Sequence, residues 1–280
     1  MTDTSAAARF KDMHDAEGCF VMPNAWDAGS ARILAGMGFE ALGTTSAGLA
    51  YSRGHEDSVG PMTIDHALEN IGAISAAVAV PVSADYENGY AHDPEDVAAN
   101  IRRAAGAGAA GASIEDFTGD RDRPLYDIGL ATERIAAAAE AVRGLAHPFV
   151  LCARAECYLV KHEDAFGESM KRLQAYAAAG AGCVYSPGAQ DRDQIKAFCL
   201  DAGAPVNVLV GIPGMNATLD EMRGLGVRRL STGGSLMRAT LGPLIQAAKD
   251  IQDGRFPFPD DAPPDADVVR MLEKGAKGGS

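Results

Sequence analysis

The chain is 280 residues long, 47% hydrophobic and 22% charged, with a formal net charge of −13. That acidity argues against a nucleic-acid partner, because a phosphate backbone needs a basic face. It leaves small anions open, since a local site can be positive on an acidic protein, and no apolar stretch is long enough to cross a bilayer.

The segment Met1 to Lys11 is polar and Ala-rich, with no apolar core of the secretory kind, so no signal peptide is expected. Eight short apolar runs follow, at Cys19–Pro23, Ala41–Thr45, Val80–Ala84, Gly111–Ile114, Phe149–Ala153, Cys183–Tyr185, Val206–Val210 and Arg229–Ser231. Amphipathic, Ala-rich segments separate them, at Ala25–Met37, Ile64–Val78, Pro94–Ala107, Leu130–Val142, Glu163–Ala179, Asp193–Leu200, Leu219–Leu225 and Ser235–Asp250. Asp93-Pro94 reads as an N-cap followed by Pro in the first helical position, and Thr63 caps Ile64. Glycine pairs such as Gly106/Gly108 and Gly180/Gly182 end helices just before the next strand. Eight strands alternating with helices predict parallel βαβ units. The count and length fit a (β/α)8 TIM barrel. An open doubly wound sheet would carry a Gly-rich phosphate loop after its first strand, and Pro23-Asn24-Ala25-Trp26-Asp27 is not one. The barrel is expected over residues 1–255, with a Pro- and Asp-rich arm and a short helix over 256–280.

Five cysteines are present, with no CxxC pair. An odd number in apolar runs points to a reduced, cytoplasmic chain. No histidines fall at zinc-ligand spacing.

Catalytic groups of such barrels lie where strands end. Two strands here run straight into acids, in Ser83-Ala84-Asp85-Tyr86-Glu87-Asn88-Gly89 and Ser113-Ile114-Glu115-Asp116. An unpaired carboxylate does not continue a buried strand, so Asp85, Glu87 and Glu115 are expected at one shared opening. Acids gathered there suit a hard cation, Mg2+ or Mn2+. Arg154 ends the fifth strand, and the small Ser46-Ala47-Gly48 turn lets backbone N–H groups approach a ligand oxygen. A metal and a guanidinium can hold a developing oxyanion from two sides.

With Pro23–Asp27, Ser46–Gly48, Asp57, Asp85–Tyr90, Ile114–Asp116, Ala153–Glu156 and Gly226–Ala239 in this order, the chain resembles the isocitrate lyase and phosphoenolpyruvate mutase superfamily. The resemblance implies a Mg2+-dependent barrel that cleaves or forms C–C or P–C bonds next to a 2-oxo acid. It implies that Asp85 binds the metal directly and that Asp57, Glu87 and Glu115 hold its waters. Arg154 and the Ser46, Ala47 and Gly48 backbone would stabilise an enolate. Trp26 and Asn207 are further substrate-binding candidates. The family exchanges its last helix between subunits, so a homodimer or homotetramer is expected.

Two departures narrow the expectation. The family's Asp-x-Asp reads Asp85-Tyr86-Glu87 here. The segment Phe117 to Asp127 has no Cys and no His, whereas isocitrate and methylisocitrate lyases carry both in their lid. The first reading is therefore a lyase acting on a 2-oxo or 2-hydroxy carboxylate through an enolate, resembling oxaloacetate decarboxylase or methylisocitrate lyase. The second is a phosphonopyruvate mutase or hydrolase using Arg121, Arg123 and Gly233-Gly234. The third is an inactive barrel that binds a 2-oxo acid.

Overall fold

Short runs of Val, Ile, Ala and Cys, buried on both faces, build the centre of the molecule, as parallel strands covered by helices require. The computed structural model describes residues 4–57 and 62–278. Helix α1 (Thr4–Asp15) comes first. The strands are β1 (Phe20–Met22), β2 (Leu42–Gly43), β3 (Val82–Asp85), β4 (Gly111–Glu115), β5 (Val150–Arg154), β6 (Cys183–Tyr185), β7 (Val206–Leu209) and β8 (Arg229–Ser231). Helices α2 (Ala28–Gly36), α3 (Ser46–Ser52), α4 (Ile64–Ala77), α5 (Pro94–Gly106), α6 (Ile128–Arg143), α7 (Ala165–Ala178), α8 (Arg192–Asp201) and α9 (Leu219–Gly224) connect them. Helices α10 (Ser235–Gln252) and α11 (Asp265–Gly275) end the chain.

All strand pairs are parallel, in the order β1-β8-β7-β6-β5-β4-β3-β2. The two ends of this sheet meet at a bridge between Asn24 and Gly43, with Ala25 N–H donating to Gly43 O at 2.8 Å and Gly43 N–H to Pro23 O at 2.9 Å. The result is an α/β fold with a near-closed eight-stranded barrel ringed by helices, the (β/α)8 arrangement. Asn24 makes the closure: its Oδ1 accepts from Thr232 N and Gly233 N, both at 2.9 Å, and its Nδ2 donates to Thr44 O.

Helix α1 plugs the N-terminal end of the barrel. Phe10 and His14 are buried there in edge-on contact, 4.6 Å between ring centres. A Cβ at Gly111 would lie 2.6 Å from Val150 O and 2.8 Å from the Phe10 ring, so only glycine lets this plug seat.

The terminal helix α11 lies against α2 of its own chain, where Gly36 and Gly275 let the backbones meet; a Cβ on Gly275 would sit 1.9 Å from Arg32 O. The arm before it contains one short 3-10 turn, Phe258–Asp261. Helix α10, in contrast, makes no extensive packing with another element among the described residues. It leaves Leu244, Ile245 and Ile251 exposed. No helix among the described residues is long and apolar enough to cross a membrane.

Candidate active site

At the C-terminal ends of the strands a cavity of about 350 Å³ opens, within the range of small-molecule sites. Asn24, Ser46, Ala47, Asp57, Asp85, Glu115, Arg154, Glu156, Asn207 and Ser231 line it, among others. Strands β3, β4 and β5 are neighbours in register, with Asp85 beside Ser113 and Glu115 beside Arg154. That register is what gathers acids and guanidinium at one mouth.

Arg154 is the hub. Its Nη1 donates to Asp85 Oδ1 at 2.7 Å, its Nη2 pairs with Glu115 Oε2 at 3.1 Å, and its Nε donates to Glu156 Oε1 at 2.8 Å. Its Cζ also lies 5.4 Å from the centre of the Tyr185 ring, a cation–π contact. One guanidinium cannot balance three buried acids. Burial pushes the carboxyls of Glu115 and Glu156 above their ordinary range, and Arg154 pulls them back only in part.

Asp85 is shared between two sides of the site. Its Oδ2 accepts from Ser46 N–H at 3.0 Å and Ser46 Oγ–H at 3.1 Å. The Gly48 N–H is committed to the Thr45 Oγ1 cap at 3.2 Å. The three amides expected to face an oxyanion therefore divide. Ser46 positions Asp85 and Gly48 caps α3. Ala47, which lines the cavity, lies in the first helical turn, where intrahelical acceptors are lacking.

Glu87 stands one step back. Its backbone is left-handed at φ 45°, and its Oε1 accepts from Tyr90 O–H at 3.1 Å. Burial raises its carboxyl to about 7; the Tyr90 bond lowers it, and the charges of Asp85 and Asp57 raise it further. The loop that carries it is held by Arg134, buried at 1% exposure. Arg134 donates to Ala91 O at 2.9 Å and to Asn88 O, and stacks on Tyr126. Glu156 is fixed likewise. Its N–H donates to Asp116 Oδ1 at 2.9 Å, while Asp116 Oδ2 accepts from Arg172 Nη1 at 2.9 Å and Tyr176 O–H at 2.6 Å.

Among the described residues no three acidic, His or Cys side chains stand together as a direct metal cage. Mg2+ does not need one, since it keeps several waters and takes one or two carboxylates. The donor set fits a hard dication of this kind: oxygens only, and more buried acid than Arg154 neutralises.

The floor of the cavity holds a residue that the strand-end reading did not select, Arg229, buried at 2% exposure. Its Nε donates to Asn207 Oδ1 at 2.8 Å, its Nη2 to Cys152 Sγ at 3.0 Å, and its Nη1 meets His14 Nε2 at 3.3 Å. Arginine only donates, so Asn207 turns its oxygen to Arg229 and its amide N–H to Ser231 Oγ at 2.8 Å. Asn207 thus links Arg229 to Ser231 in the cavity lining.

Two expectations move. Trp26 is not part of the cavity lining; its Cβ region packs where a Gly48 Cβ would stand, 2.8 Å away, which makes it a support for α3. Arg121 and Arg123 also lie outside the lining. Their side chains are 76% and 88% exposed and pair with Glu56 and Asp120.

The phosphoenolpyruvate phosphomutase family profile matches residues 10–252. The crystal structure of a Burkholderia cenocepacia J2315 protein, 47% identical, superposes with a TM-score of 0.92 over 96% of both chains. An oxaloacetate decarboxylase of Paraburkholderia xenovorans is 30% identical over 217 residues, 72% of this chain and 70% of its own. The crystal structure of a 2,3-dimethylmalate lyase, 26% identical, covers 95% of this chain and 94% of its own with a TM-score of 0.83.

Proposed function

Because the chain belongs to the isocitrate lyase/phosphoenolpyruvate mutase superfamily, we propose that it is a Mg2+-dependent lyase that cleaves a C–C bond next to a 2-oxo acid through an enolate. The substrate is a small 2-oxo or 2-hydroxy carboxylate, handled in the manner of an oxaloacetate decarboxylase or a methylisocitrate lyase. The observation that carries this reading is the Arg154 guanidinium, pinned by Asp85, Glu115 and Glu156 at the mouth of an oxygen-lined cavity.

Asp85 would hold the metal directly, and Asp57, Glu87 and Glu115 its waters. When bound, Mg2+ supplies Lewis-acid pull on the substrate's carboxylate and keto or hydroxyl oxygens. The remaining tasks fall to the chain itself. The N–H groups of Arg154 not engaged by carboxylates, with the Ala47 N–H, face the oxygen on which charge builds when the bond breaks. Preorganised donors of this kind stabilise the transition state without reorganisation. Asn207 and Ser231, bonded to each other in the lining, would be polar contacts for the substrate's far end. Glu115, paired with Arg154 at 3.1 Å and with its carboxyl raised above the ordinary range by burial, stands beside these donors. No lid acid is required if carbon dioxide leaves and the enolate takes its proton from water.

Incubation with Mg2+ and oxaloacetate, 2-methylisocitrate or phosphonopyruvate tests the reading. Pyruvate formed without phosphate supports it. Phosphate release from phosphonopyruvate alone would replace it with P–C chemistry, and tight oxalate binding with no turnover would leave an inactive binding barrel.

Assembly belongs to the same proposal. The uncovered apolar residues of α10 suit exchange of that helix, rather than α11, between subunits of a homodimer or homotetramer. A monomeric mass in solution would refute the exchange.

A further inference from the structure

Two chemistries face each other across the cavity. The acids and Arg154 stand at the ends of β3, β4 and β5. Further out along the connections that follow β4, β5 and β6, and at the end of β7, the lining becomes aliphatic and aromatic: Phe117, Leu159, Val160, Pro187 and Leu209. Strands β4 to β7 are consecutive neighbours, so these five residues form one continuous arc of the mouth. Leu159 is 53% exposed at the rim. It lies over the turn after β6, because a Cβ at Gly188 would come within 3.2 Å of its Cδ2. Phe117 is held by a bridge to Leu125, which ties down the base of the segment after β4.

A half-exposed leucine beside a phenylalanine, valine and proline is an apolar surface left to water at the edge of a polar site. Apolar surface of this kind gains when a ligand covers it. A charged group placed there would lose water, and the cations among the described lining residues, Arg154 and Arg229, are already engaged. Arg121 and Arg123 are turned to solvent, Arg154 is surrounded by acids, and Arg229 at the floor has Asn207, His14 and Cys152 as partners.

We infer that this arc is a side-chain subsite, and that the preferred substrate is a 2-oxo or 2-hydroxy acid carrying a short aliphatic substituent beside the bond that breaks. The position of that bond rests on the lyase reading above; the affinity of the arc for an alkyl group does not.

Calorimetry in the presence of Mg2+ separates the two. Pyruvate, 2-oxobutanoate and 2-oxo-3-methylbutanoate are titrated into the full chain and into Leu159→Ser, whose exposed position makes the change tolerable to the fold. Affinity is expected to rise on the order of fourfold to tenfold per added carbon, and Leu159→Ser to flatten that series. An affinity that stays level or falls as the side chain grows, or a slope that Leu159→Ser leaves intact, overturns the subsite. Turnover is then followed with malate and its 3-methyl and 2,3-dimethyl derivatives. An affinity slope with no cleavage of any acid sinks the lyase reading and keeps the subsite. Cleavage of any of these acids with no slope does the reverse.

Discussion

Arg154 Nη1 stands 2.7 Å from Asp85 Oδ1, while Asp85 Oδ2 is held by the backbone and hydroxyl of Ser46. Three elements thus converge on one carboxylate: the start of α3 through Ser46, β3 through Asp85 itself, and β5 through Arg154. Replacing Asp85 with Ala removes the proposed direct metal ligand and frees a guanidinium that Glu115 and Glu156 still neutralise. The fold is therefore expected to survive, with an unchanged near-ultraviolet dichroism spectrum. Mg2+-dependent turnover is expected to disappear. Persisting activity in Asp85→Ala would refute the ligand assignment.

Arg154→Lys keeps one positive charge but loses the planar fork that spans three carboxylates and, in the proposed reaction, would reach a substrate oxygen. Turnover should fall on the order of a hundred- to a thousandfold. Since the interaction strengthens as charge develops, kcat and kcat/KM should fall together. A variant that changed only KM would place Arg154 in ground-state binding instead.

How far these residues were legible in the sequence differs from case to case. Asp85, Glu115 and Arg154 could be found because each interrupts an apolar run, and a strand end is where a buried backbone meets solvent. The eight runs fall on the eight strands for the same reason, although β2 proves only two residues long. Helix α1 was not read, because alanines and polar residues hide its face; the spacing of Ala7, Phe10 and His14 is the signal that could have found it. Arg229 was read only as the start of the eighth run. An arginine between Val227 and Leu230 is itself a sign of a buried polar partner, but which partner depends on strands distant in the chain. Trp26 stands outside the cavity lining because residues after a strand can turn either into the mouth or back onto the next helix, and that direction is set by packing. The apolar arc was invisible for the same reason.

Glu87 makes the site sensitive to pH. Its carboxyl is raised to about 7, with burial the largest cause. For a carboxyl raised above its unfolded value near 4.5, the metal-free protein keeps the associated stability below that value and loses it as pH climbs through about 7. The loss is at most about 3 kcal/mol. Glu87→Gln should remove this component, so the metal-free melting temperature of the variant declines less between pH 4.5 and 8. Mg2+ acts in the opposite sense, since it favours the ionised acid. Its stabilising effect on the parent chain should grow with pH, and chelation should abolish activity while lowering the melting temperature most above pH 7. A Mg2+ shift that does not depend on pH would count against Glu87 as part of the metal's surroundings.

The buried end of the barrel gives a prediction of opposite sign. Arg229 can only donate, so His14 Nε2, 3.3 Å from Arg229 Nη1, must accept, and Nδ1–H donates to Phe10 O at 2.8 Å. The imidazole is thereby fixed neutral, and burial, with Arg229 next, lowers its pKa to about 3. The unfolded chain takes up that proton near 6.5, so stability from this group is complete above 6.5 and is lost as pH falls toward 3. Roughly 2–4 kcal/mol is at stake across the window. His14→Gln retains an acceptor for Arg229 and cannot titrate. It is expected to match the parent near pH 7.5 within about 1 kcal/mol and to unfold less readily in acid. Equal acid sensitivity in denaturant melts of the two proteins would show that His14 is not the group that titrates.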